Sequence, residues 1–168
     1  MTKVNKRGFT LIELLIVIAI IAILSATIFV ALDPLTRFQD SRDSRRWQDI
    51  ASIANAINVY QVDNGGYHLT SIQNMATSGV YMITDGGVTA SCDNQNTYCD
   101  TNVTGDAYCV DLSGLVTGGD IGDVPISPNG EGSWSATASG YTLQKSTSGT
   151  VTVRSCESEN STEIIVIR

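Results

Sequence analysis

Between Trp47 and Gln144 the sequence has no lysine and no arginine, while Asp49, Asp63, Asp85, Asp100, Asp111 and Glu131 all fall there. That absence excludes a basic footprint for nucleic acid in this half of the chain, because phosphate neutralisation needs clustered cations. Histidine is nearly missing as well. His68 is the single one, and H-E-x-x-H, G-x-S-x-G and G-x-x-x-x-G-K-[ST] do not occur. Metal hydrolysis, a nucleophile elbow and P-loop nucleotide binding therefore lack their usual groups, so the chain reads as no enzyme and needs no cofactor. His68, beside Tyr67 just past a helix end, reads as structural. None of the four cysteines forms a C-x-x-C pair, which excludes zinc-ribbon spacing.

What is present is unevenly distributed. A mean hydropathy of +0.06 would suit an ordinary soluble protein, but the apolar residues crowd into the first fifth of the 168-residue chain. That length allows one globular domain plus an anchor. Met1 to Gly8 carries Lys3, Lys6 and Arg7 with no acid, a cytoplasmic flank by the positive-inside rule. Phe9 to Leu32 follows, interrupted only by Thr10, Glu13, Ser25 and Thr27. As a helix it reaches about 36 Å, enough for a hydrocarbon core of about 30 Å. The run is too long for the apolar region of a secretory signal peptide, and Ser25-Ala26-Thr27 is a poor cleavage site. A plain anchor explains the length but not Glu13, a carboxylate one turn into an apolar run.

Asp33-Pro34 then predicts a kink, or a stop and restart with Asp33 as cap. Beyond it Trp47, Ile50, Ala51, Ala54 and Ile57, flanked by Ile53 and Tyr60, recur at helical spacing and predict an amphipathic half over residues 33–63. On its polar side the pairs Asp33 with Arg37, Asp43 with Arg46 and Arg45 with Asp49 are three or four residues apart. Such pairs stabilise a solvated helix face, or they meet neighbouring subunits. Asp63-Asn64-Gly65-Gly66 ends the helix.

Residues 64–168 form the head. Val80–Thr84, Ala107–Leu112, Tyr141–Lys145, Thr150–Arg154 and Glu163–Ile167 read as strands, with a hairpin loop at Ser146–Gly149. The fold class is α+β: a long N-terminal helix packed through Trp47, Ile50, Ala54 and Ile57 on a small antiparallel sheet. Cys92, Cys99, Cys109 and Cys156 lie beyond the apolar segment, and an even count there points to two disulfides in an oxidising compartment. Three connectivities are open. We favour Cys92 with Cys99, closing a short polar loop, and Cys109 with Cys156, tying the middle of the head to its last segments. Asp120, Asp123, Asn129 and Glu131 gather hard oxygen ligands around Pro125–Gly130, a candidate calcium loop without EF-hand spacing, set against ordinary acidic turns.

The stretch KRGFTLIELLIVIAIIAIL, Lys6 to Leu24, resembles the class III signal of type IV prepilins and pseudopilins: a short basic leader ending in Gly8, then Phe9, then glutamate at Glu13. The resemblance extends along the helix to Asp63 and through Tyr60–Tyr67, whereas His68 stands where these proteins often have proline. It implies a leader of residues 1–8 removed by a prepilin peptidase between Gly8 and Phe9, with N-methylation of Phe9. Cleavage removes three of the ten basic side chains. It implies that residues 9–32 serve first as transmembrane helix and then as polymerisation helix. There Glu13 meets the Phe9 amine of an adjacent subunit, although Phe9 and Glu13 are close enough in sequence to interact within one chain.

The implied function is a structural subunit of a type IV pilus-like filament. The alternatives are a pseudopilin of a type II secretion system and a minor pilin that binds a surface or DNA. The implied partners are further copies of the chain, the peptidase, an assembly ATPase, a membrane platform protein and, before assembly, lipid. The implied location is the cytoplasmic membrane with the N-terminus inside, and then an extracytoplasmic filament.

Overall fold

The computed structural model describes residues 8–168, so the expected leader of residues 1–8 lies, apart from Gly8, outside the described residues. Two compact units are present, one ending at Phe38 and one of Gln39–Arg168.

In the first unit, helix α1 spans Leu11–Leu32. Thr10 is its N-cap, and Glu13 completes a capping box: Thr10 Oγ1 accepts from the Glu13 N–H at 3.3 Å, and the Glu13 carboxylate accepts from the Thr10 N–H at 2.8 Å. None of its residues is buried. The helix stops at Asp33, which takes a left-handed conformation at φ 36. Pro34 then opens helix α2, Pro34–Asp63, where a missing N–H leaves no bond unmade. Of the two outcomes expected at Asp33-Pro34, the chain takes the stop and restart. The Asp33 carboxylate accepts from the Thr36 hydroxyl at 2.7 Å instead of pairing with Arg37.

In the second unit, α2 buries Ile50, Ile53, Ala54, Ala56 and Ile57 in the main core, with Ile83, Val110, Tyr141, Leu143 and Val153 of the sheet. Each fully buried isoleucine contributes roughly 1.5–3 kcal/mol of transfer free energy. Trp47 does not join them. It is 40% exposed, whereas Arg46 is fully buried. The phase of the buried face, Asp43–Arg46–Ile50–Ile53–Ile57, runs at helical spacing and leaves Trp47 to one side. The helix ends where Asn64-Gly65-Gly66 was expected to end it, with Gly65 at φ 66 and the Gly66 N–H bonded to Gln61 O at 2.7 Å.

Short helices α3 (Thr70–Gln73) and α4 (Ser113–Gly118) flank a five-stranded sheet of order β2-β1-β3-β4-β5. Its strands are β1 Val80–Thr84, β2 Cys109–Asp111, β3 Tyr141–Lys145, β4 Val151–Ser155 and β5 Ile165–Ile167. The α+β class stands. The sheet is antiparallel except at one edge, where β1 pairs parallel with β2 through Ile83 opposite Val110. Residues 85–108 supply the crossover that a parallel return requires; a hairpin would have reversed β2. The β3–β4 hairpin turns through Ser146–Gly149, closed by the Ser146 N–H to Thr150 O at 2.9 Å.

The disulfides correct the expected pairing. Cys92 is bonded to Cys109 and Cys99 to Cys156, not Cys92 to Cys99 and Cys109 to Cys156. Sequence proximity favoured the short loop, but β2 returns beside β1 and brings Cys109 back to the start of the crossover. That leaves Cys99 for the segment after β4.

Candidate functional site

Two features carry chemistry, and the first is α1 itself. Leu11 to Leu32 holds a single ionisable residue, Glu13, in a helix long and apolar enough to cross a membrane. The Glu13 carboxylate also accepts from the Thr10 hydroxyl at 2.7 Å, so within the chain it satisfies orphan donors of the first turn. The T-x-x-E spacing of Thr10 and Glu13 was legible as a capping box, and attention to the charge alone overlooks it. Gly8 and Phe9 precede the helix, exposed and outside regular structure. A Cβ on Gly8 would meet nothing within 4 Å.

The second feature lies where the start of the Gln39–Arg168 unit meets the segment between β4 and β5. Arg46 is buried, and each of its N–H donors has an acceptor. Nη1 donates to Asp43 Oδ1 and Glu159 Oε1, both at 2.8 Å. Nη2 donates to Glu157 Oε2 at 2.8 Å and Pro128 O at 3.1 Å, and Nε to Ser127 Oγ at 3.3 Å. Arg42 grips Glu159 with both Nε, at 2.7 Å, and Nη2. The Asp43 carboxylate accepts the backbone N–H groups of Glu159 at 3.1 Å, Asn160 at 2.9 Å and Ser161 at 3.1 Å. Glu157 accepts from the Gly132 N–H. Gly130 must lack a side chain here, since a Cβ would collide with Glu157 and stand 3.1 Å from Arg46 Nη2.

Burial raises the Asp43 pKa, but the three N–H donors and Arg46 outweigh it and hold the carboxyl below its ordinary value. The Arg42 hydrogen bond does the same for Glu159. One turn further on, the buried Tyr141 hydroxyl donates to Asp49 Oδ2 at 2.6 Å. Burial, and then Asp49, push that phenol far up. Of the expected helix pairs, Asp43 with Arg46 is thus an interior ion pair, and Arg45 with Asp49 stands at 3.7 Å on the surface. Sequence reasoning placed Arg46 on the polar side of the helix, solvated or meeting a neighbouring subunit, whereas it is buried within the chain, and it missed Glu157 and Glu159. The available signal was that Asp43 and Arg46 share the helical phase of Ile50 and Ile53.

Beside the cluster opens a polar cavity of about 440 Å³, walled by Gln39, Arg42, Tyr98, Asp100, Glu131 and Glu159 among others. The candidate calcium residues are not gathered. Asn129 Oδ1 accepts from the Trp134 N–H at 2.9 Å, and Asp120, Asp123 and Glu131 do not converge. Among the described residues no group of three or more His, Cys, Asp or Glu is placed to hold a metal. His68 Nε2 lies 3.0 Å from Gly149 O, joining the end of α2 to the β3–β4 turn.

No curated protein and no solved structure matches this chain. Residues 3–29 match the family model described as the prokaryotic N-terminal methylation motif. A basic stretch ending in a glycine and an apolar helix with one glutamate near its start therefore coincide with an α+β unit carrying two disulfides. The chain is pilin-like, and its first segment is the class III prepilin signal of type IV pilins and pseudopilins.

Proposed function

We propose that this chain is a structural subunit of a type IV pilus-like filament, assembled through α1 after a prepilin peptidase cuts between Gly8 and Phe9. In this reading residues 1–8 are the leader, 9–32 the membrane and polymerisation helix, 33–63 the amphipathic half and 64–168 the extracytoplasmic head. The observation that carries it is α1: 22 residues, none buried, with one carboxylate. So large an apolar surface needs a covering, which is lipid before assembly and other copies of α1 afterwards.

Glu13 is the register device. Its capping bonds to Thr10 offset its charge within one chain, and a methylated amine at Phe9 of a neighbour supplies the countercharge in an apolar core. Loss of Lys3, Lys6 and Arg7 frees the helix to leave the bilayer. An assembly ATPase and a membrane platform protein drive that step. The disulfides suit the outer side of the membrane, so the N-terminus starts inside.

Filaments sheared from native cells, seen by electron microscopy and sequenced from the N-terminus, test this. The expected result is filaments whose subunit begins at Phe9 with a methylated amine, and Gly8→Val leaving full-length precursor in the membrane. A subunit that begins at Met1 or near Ala26, or a processed chain that never leaves the membrane, overturns it.

A further inference from the structure

The polar cavity beside the Arg46 cluster has more negative charge than its own chain balances. Glu157 and Glu159 are held by Arg46 and Arg42. Asp100 receives only the Ser158 hydroxyl, at 2.8 Å, and Glu131 is exposed with no hydrogen bond or ion pair among the described residues. Tyr98, 38% exposed, adds an aromatic ring to the same wall. Carboxylates that accept a planar fork of donors, next to a ring that a planar cation stacks on, recognise a guanidinium better than an ammonium.

The chain carries a matching group. Its cations beyond the leader are few, and the stretch from Trp47 to Gln144 has none. Arg42 and Arg46 are consumed in the cluster, Arg45 lies against Asp49, and Arg154 pairs with Glu163. Lys145 donates to Ile72 O and Gln73 O, and Arg168 to Ile167 O. Among the described residues Arg37 is the one cation whose side chain makes no hydrogen bond or ion pair, and it is exposed on α2.

We infer that the cavity is the docking site for Arg37 of a second copy of this chain, its guanidinium meeting Glu131 and Asp100. The inference rests on the filament reading, in which parallel copies displaced along the filament axis bring the helix of one against the head of another. It adds a second electrostatic register, in the head, to the one at Glu13. Opposite charges placed across such an interface suppress wrong registers more than they add affinity.

Charge reversal and cross-linking test it in cells that assemble the native chain. Arg37→Glu and Glu131→Arg should each reduce sheared filament about tenfold or more, since like charges at an interface cost several kcal/mol and 1.4 kcal/mol is already tenfold. The double variant should restore most of the yield. An immunoblot of membranes should show processed subunit at native level in all three. A chain carrying Arg37→Cys and Glu131→Cys should give a disulfide-linked ladder in non-reduced filaments. The pair Arg37→Cys with Asp123→Cys, away from the cavity, should give none.

Filaments of native yield from both reversals, or no ladder from filaments that assemble, overturn the inference and leave the filament reading standing. Absence of filaments from the native chain removes both. Where a single reversal loses processed subunit from the membrane, the cysteine pair, whose side chains carry no charge, decides: a ladder supports the docking and its absence overturns it.

Discussion

Replacing Arg46 by methionine removes the one group that touches Asp43, Glu157 and Glu159 at once. Methionine matches the length of the arginine stem but donates nothing, so the buried carboxylates of Asp43 and Glu157 lose their cation, and Pro128 O loses a donor. Breaking a buried pair by taking one partner costs about 3–5 kcal/mol, because the remaining charge stays desolvated. For a unit the size of Gln39–Arg168, each kcal/mol is about 3–5 °C in melting temperature, which places the loss at roughly 9–25 °C. Arg46→Lys should recover little of it, since one ammonium cannot reach acceptors spread around a planar fork. Thermal unfolding of the detergent-solubilised chain, followed by circular dichroism at pH 7, measures both. An Arg46→Met variant that melts within about 2 °C of the native chain would show that the cluster is neutral to stability, and the reasoning would be wrong.

Acid should act on the same cluster. Asp43 and Glu159 have folded pKa values below their ordinary ones, so their contribution is complete above the unfolded value near pH 4 and is lost as pH falls through the lower folded values. The melting temperature should therefore drop steeply below about pH 4, and less steeply in Arg46→Met; parallel pH profiles for the two chains would count against the cluster as the cause. Non-reducing digestion and mass spectrometry should find peptides joined as Cys92–Cys109 and Cys99–Cys156, with no cysteine open to alkylation, and a Cys92–Cys99 peptide would contradict the fold around β2. Glu13→Leu should leave membrane insertion, processing and head melting unchanged while sheared filaments fall or vanish. Abundant filaments built only from that variant would refute the register role.

Much of this protein is determined by the sequence alone, and the reason is that the determining features are local. The apolar run that follows Lys3, Lys6 and Arg7 needs no tertiary context to form a helix long and apolar enough to cross a membrane, and residues 3–29 match the methylation motif by their order along the chain. Asp33-Pro34 marks a helix boundary through the geometry of one ring, and Gly65-Gly66 ends α2 through the freedom of two residues. The strands β1 and β3 have the bounds their residues announced.

Tertiary structure decided what depends on which segments meet. Whether β2 runs parallel or antiparallel beside β1 is set by the path of residues 85–108, and the disulfide partners follow from that path. Local propensity cannot tell which cysteine returns to the same edge. Arg46 is the clearest case. By residue type it belongs in water, and a helix-face reading of charges keeps it there. It is buried because Glu157, Glu159 and the backbone of the segment after β4 arrive from more than a hundred residues away to satisfy it and Asp43. A buried ion is tolerable only when its partners are supplied, and those partners exist only once the chain has folded.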